Sequence, residues 1–271
     1  MKKISMNSAL SVAVLSLKNN LKLLTGWGIG SFGVMFLYMI LFPSVQDMAK
    51  VKMESMPKEL LEFMGMSSFS DMGNFISYLG MIFGIVILVI SVFASVYAGG
   101  LINKEEKQKT IEFLYGLSVS RDEIYLGKSI AAYAGVMGVL LMAAISSIIC
   151  GFINGGETFV LTDAVQIFKI TGFSAFIFTG VSLFTAGLTA KVSAGAVSSG
   201  VVFLCYVLGY LSTLLGDKAQ WLKYFSPFET LSSTQALAGE DILIKLLIYF
   251  VIAAVLTALG GVFYKRRDFT V

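Results

Sequence analysis

Residues 72–103 read MGNFISYLGMIFGIVILVISVFASVYAGGLIN, without one charged side chain. About 20 apolar residues in a helix cross the roughly 30 Å hydrocarbon core of a bilayer. This run is long enough to cross once and too short to cross comfortably twice. The next stretch, 104–128, reads KEEKQKTIEFLYGLSVSRDEIYLGK and is dense in charge, and 129–156, SIAAYAGVMGVLLMAAISSIICGFINGG, is again uncharged. Two membrane helices joined by a polar loop are the simplest structure for that alternation.

The same reading, from charge to charge, gives further uncharged runs at 23–46, 170–190, 192–216 and 246–264. Centred spans fall at about 24–42, 78–101, 129–152, 170–190, 194–215 and 245–264 of a single 1–271 transmembrane domain. The fourth and fifth are joined only by a tight turn at Lys191. The expected fold is an all-α polytopic membrane protein with six transmembrane helices. Composition agrees: 56% of the 271 residues are hydrophobic and 14% charged, against about 25% charged in soluble domains. With no histidine in the chain, Ser-His-Asp triads, Cys-His dyads and HExxH zinc sites are excluded. Cys150 and Cys205 sit in apolar runs as small buried hydrophobes. A net charge of +3 gives no surface for nucleic acid.

Six crossings leave both termini on one side. The N-terminus, the 103–128 loop, Lys191 and the tail Lys265-Arg266-Arg267 hold 13 of the 20 Lys and Arg residues, so that side is expected to be cytoplasmic. Leu10, Val14, Leu17, Leu21 and Leu24 repeat with helical spacing, while Ser8, Ser11, Lys18, Asn19 and Lys22 fall opposite. Residues 6–22 are therefore expected to form an amphipathic interfacial helix leading into the first span. A plain cytoplasmic extension of that span is the alternative. No cleavage site of a secretory signal follows.

The 103–128 loop carries two helix starts. Thr110 can cap a short helix with Glu112 in its first turn and Gly116 as its terminator. Ser120-Arg121-Asp122-Glu123 is a capping box, with Val119 and Ile124 placed as a hydrophobic staple. A short, stiff helix here would transmit a partner's motion; the alternative is a solvated anchor that fixes topology. Between the last two spans, Ser226-Pro227-Phe228-Glu229 repeats the capping pattern with proline at N1. It predicts a helix of about 12 residues ending at Gly239, with Trp221, Tyr224, Phe225 and Phe228 suited to the membrane interface. The six methionines of 43–76 read as adaptable apolar surface rather than a Cu(I) site, because no cysteine or histidine accompanies them.

The segment 110–128, TIEFLYGLSVSRDEIYLGK, resembles the one before the third span of ABC-2 type permeases, the membrane subunits of bacterial ATP-binding-cassette exporters. It matches at Glu105, Glu106, Thr110, Glu112, Leu114, Val119, Ser120, Arg121, Gly127 and Lys128. It departs at Lys109, where glycine is usual, and at Ser118, where proline is usual. The resemblance extends over nearly the whole chain, including a long first external loop starting at Phe42-Pro43-Ser44, the stretch Tyr224 to Glu229 and the ending Phe263 to Asp268. It implies a multi-pass protein of the bacterial cell membrane and a coupling helix at about 105–117. Glu105, Glu106, Thr110, Ile111, Glu112, Phe113, Leu114, Leu117 and Arg121 would then face an ATPase subunit. It further implies an external gate at Phe225, Pro227, Phe228 and Glu229; an interfacial belt without gating function is the alternative. The implied partners are two ATPase subunits, a second permease subunit, identical or homologous, and membrane lipid. ATP and Mg would be bound by the ATPases, leaving this chain without cofactor, metal or catalytic residue. Gly127-Lys128-Ser129 is no Walker A loop, since Asp122 stands where that loop needs glycine. Glu105-Glu106 lacks the histidines of an intramembrane protease. No Asp, Glu or Arg occupies the middle of any span, which argues against an ion-coupled carrier and for a hydrophobic or amphiphilic cargo such as a peptide, antibiotic or lipid. A membrane scaffold or sensing module without a transport cycle is the alternative.

Overall fold

The computed structural model describes residues 5–51, 73–108, 119–238 and 242–267; these form helices and turns, and among them there is no strand. Six helical stretches are long and apolar enough to cross a membrane: Leu21–Met48, Phe75–Glu106, Arg121–Asn154, Leu161–Leu188, Ala194–Leu215 and Ile242–Arg266. The protein is an all-α polytopic membrane protein, as its alternating composition predicts.

Helix α1 (Met6–Asn19) turns at Asn20 into α2 (Leu21–Ile40), and a break at Leu41 leads to α3 (Phe42–Val51). The chain thus stays helical past Phe42-Pro43-Ser44, where a loop was expected; proline is tolerated in a first helical turn. Helix α4 (Phe75–Lys107) starts at Asn74, whose side chain accepts from the backbone N–H groups of Ile76 and Ser77. Helix α5 (Arg121–Asn154) starts at the expected capping box: Ser120 Oγ accepts from Glu123 N at 3.3 Å and Glu123 Oε2 accepts from Ser120 N at 2.8 Å.

The fourth crossing consists of α6 (Leu161–Thr171) and α7 (Phe173–Leu188), interrupted only at Gly172. It begins well before residue 170. Asp163 and Lys169 break the uncharged run but lie off the face formed by Ala164, Ile167 and Ile170, which is buried. Helix α8 (Ala194–Leu215) follows a short turn, with Ser193 as its cap. Two short helices, α9 (Pro227–Thr230) and α10 (Ser233–Ala238), precede α11 (Ile242–Arg266).

The single helix expected after Ser226 is therefore two. The chain leaves helical geometry at Leu231 (φ −113°, ψ 27°), where the side chain is completely buried beside Ile170, Ile177 and Ile242. Ser232 then starts α10, accepting from Ala236 N through its carbonyl at 2.8 Å and from Gln235 N through its hydroxyl at 3.5 Å. Ser226 does not cap with its side chain.

Helices α4 and the α6–α7 pair are the most buried crossings, and α2, α8 and α11 the most exposed. Small and hydroxyl side chains join the centre. Ser198 Oγ lies 2.9 Å from Ser95 Oγ and donates to Phe178 O, while Ser182 Oγ donates to Ser95 O. A Cβ at Gly187 would collide with the backbone of Gly260, so glycine sets the approach of α7 and α11. Among the GxxxG pairs Gly26/Gly30, Gly80/Gly84 and Gly151/Gly155, a spacing that permits close helix contact, Gly80 meets Ser233 and Gly151 and Gly155 meet Phe159, whereas Gly26, Gly30 and Gly84 have open space where a side chain would stand. Outer faces display Ile29, Leu37, Leu204, Leu243 and Phe250, an apolar surface suited to lipid or another membrane subunit.

Candidate functional site

Both described chain ends meet the segments that flank 109–118. Ser5 N donates to Glu123 Oε1 at 2.6 Å. Helix α1 packs on α5 through its buried Ala9 and Ala13, and leaves Leu10 and Val14 exposed. Gly127 makes this packing possible: a Cβ there would strike the Ala9 carbonyl and Val12.

The last turn of α4 carries Glu105 and Glu106, and each is held by a cation from another helix. Lys128, on α5, pairs with Glu105 and also donates to the Ile102 carbonyl at 3.4 Å. The lysine side chain is 3% exposed and the glutamate 25%. Arg267, at the end of α11, pairs with Glu106 and donates to Ala186 O of α7 at 2.6 Å; both side chains are 10% exposed. Arg121 donates to the carbonyls of Lys265 and Arg267. Lys265 pairs with Asp122 at 2.6 Å, a more open contact of the kind that contributes about 1 kcal/mol or less.

Of the residues expected to couple to an ATPase, Glu105, Glu106 and Arg121 thus belong to one belt of ion pairs and hydrogen bonds. It ties α1, α4, α5, α7 and α11 together on either side of 109–118. Thr110, Ile111, Glu112, Phe113, Leu114 and Leu117 lie outside the described residues. Lys128 and Arg267, which complete the two buried pairs, were not identified as site residues from sequence. The Gly127-Lys128 signature was visible; its partner on α4 was not.

At the opposite end of the bundle the expected gate residues separate. Phe225 is 60% exposed, packed edge-on against Trp221. Pro227 is buried, and Phe228 stacks on Phe178 at 5.3 Å and meets Tyr206 edge-on at 5.9 Å. Glu229 faces a cavity of about 140 Å³ between α4, α8, α9 and α10. Burial pushes its carboxyl above the usual glutamate range, opposed by the Lys223 ammonium. Ser226 Oγ and Thr171 Oγ1, on the same wall, are buried without a hydrogen-bond partner among the described residues. A second, larger groove of about 680 Å³ runs between α2 and α4, lined by apolar side chains with Lys22 at one end.

A family model described as the C-terminal domain of the multidrug efflux system permease Rv1217c matches residues 11–265. No curated protein matches the chain.

Proposed function

The chain belongs to the family of the Rv1217c multidrug efflux permease C-terminal domain, and on that premise we propose that it is the permease subunit of an ABC-2 type exporter. It acts in a bacterial cell membrane, with both termini and the 103–128 loop in the cytoplasm. Two ATPase subunits bind and hydrolyse ATP with Mg, and a second permease subunit, identical or homologous, completes the pathway. The cargo is hydrophobic or amphiphilic.

The observation that supports this reading best is the ion-paired belt. A segment that receives force needs ends that do not yield. The ends of 109–118 emerge from helices fixed by Lys128–Glu105 on one side and by Ser120–Glu123 with Arg121 on the other. Movement at Glu112, Phe113 or Leu114 would pass into α4 and α5 as rigid bodies. Nucleotide then acts by population shift: it favours one arrangement of the assembly because the ATPases contact the two arrangements differently.

Purification from the native membrane, with identification of every co-eluting chain, tests the partners. In the reconstituted assembly, Glu112→Lys or Leu114→Glu abolishes stimulation of ATP hydrolysis by the permease while leaving insertion intact. Persistent stimulation in both variants overturns the coupling assignment, as does labelling that finds 105–117 on the outer side.

A further inference from the structure

The two cavities are adjacent, and they differ in chemistry. The smaller is lined by Glu229, by Tyr206, Tyr210 and Phe228, and by Ser226 and Thr171. The larger, between α2 and α4, is bordered by Val34, Val86, Val89 and Ile90. Ile85 of α4 lines both, so the polar chamber and the apolar groove meet at one residue on one helix.

A buried carboxylate among tyrosine, serine and threonine hydroxyls is a surrounding that recognises an organic cation, since a buried charge calls for a partner of opposite sign and the hydroxyl oxygens can also face a positive group. No cation of the protein neutralises Glu229 by an ion pair among the described residues. Lys223 holds its ammonium over the Tyr224 ring at 5.4 Å, and Lys245 donates to Gln235 Oε1 at 2.8 Å. The chamber's 140 Å³ is about the volume of four or five waters, enough for a substituted ammonium and too small for a drug-sized molecule. The groove's 680 Å³ falls within the usual range of ligand pockets. Gly26 and Gly30 leave its floor open.

We propose that the chamber and the groove form one binding site for a cationic amphiphile, with the ammonium held at Glu229 and the hydrocarbon chain laid between α2 and α4. The proposal rests on the export reading only in making this amphiphile the cargo; the site itself requires no nucleotide.

The test is equilibrium binding of radiolabelled dodecyltrimethylammonium to the purified assembly by scintillation proximity, without ATP. Unlabelled dodecyltrimethylammonium displaces the label, and dodecanol, with the same chain and no charge, does not. Glu229→Gln weakens binding about tenfold, and Gly30→Leu weakens binding of the dodecyl compound while sparing the hexyl one. The proposal is overturned if dodecanol competes as well as the cation, a result needing no variant, or if Glu229→Gln leaves the dissociation constant within twofold. ATP-driven export of other cargo without cation binding removes this site and leaves the export reading; cation binding without ATP-driven export does the reverse.

Discussion

Replacing Glu105 by glutamine removes the partner of an ammonium that has almost no access to solvent. Lys128 is 3% exposed, and its only other hydrogen bond among the described residues is to Ile102 O at 3.4 Å. Breaking a buried pair from one side costs about 3–5 kcal/mol, because the remaining charge stays desolvated. The converse change is milder. Glu105 is 25% exposed, so in Lys128→Met the carboxylate can recover part of its hydration, and a loss of about 1.5–3 kcal/mol is expected, that of one hydrogen bond to a charged group. The double change Glu105→Leu with Lys128→Met leaves neither charge and is expected to lie close to the parent protein, since apolar replacements of buried pairs are often neutral. The assay is thermal unfolding in one detergent of the parent, Glu105→Leu, Lys128→Met and their double variant, read as a double-mutant cycle, with Glu105→Gln measured beside them. For a chain of this size each kcal/mol corresponds to roughly 2–4 °C, so Glu105→Gln shifts the midpoint by on the order of 10 °C. Equal losses in the two single variants, or a double variant as unstable as their sum, would refute the argument from burial.

The charge at Glu229 makes stability depend on pH. Burial raises its folded-state value above the unfolded one, and Lys223 acts in the other direction; Tyr206 and Tyr210 are the other titratable groups on the chamber wall. The contribution of Glu229 to stability is therefore full below about pH 4.3, the unfolded value, and is lost as pH rises through the folded value. Glu229→Gln removes this dependence, so its melting temperature exceeds that of the parent at neutral pH and converges with it in acid. At Gly127, alanine overpacks the α1–α5 contact by about 1–3 kcal/mol, and proteolysis within 5–19 becomes faster as α1 detaches. Ser120→Ala removes the cap of α5 at about 1 kcal/mol, while Ser120→Gly costs only a few tenths; the ordering of their melting temperatures checks the assignment.

The crossings were legible because membrane burial imposes a long uncharged run on each, and the α5 cap because its two hydrogen bonds lie within four residues. What the sequence concealed depends on separation. Glu105 and Lys128 are 23 residues apart, and Glu106 and Arg267 are 161 apart; no local rule says which lysine or arginine meets which glutamate. The fourth crossing was misplaced because a charge on one side of a helix ends an uncharged run without ending the apolar face, as Lys169 shows beside the buried Ile167 and Ile170. The helix after Ser226 was expected to be continuous because capping pattern and propensity are local, whereas Leu231 is fixed by Ile170, Ile177 and Ile242 from three other helices. Even so, Ser232 with Gln235 at N3 repeats the Ser-x-x-Glu/Gln pattern, and reading it as a second start would have divided the segment correctly. The chamber at Glu229 follows from that division. An unbroken helix through 231–232 would carry Ser233 and Thr234 onward with α9, whereas the bend folds them back toward Gly80, where a Cβ would stand 2.5 Å from Ser233 Oγ. The placing of Ser233 and Thr234 on the chamber wall beside Glu229 thus goes with the break at Leu231.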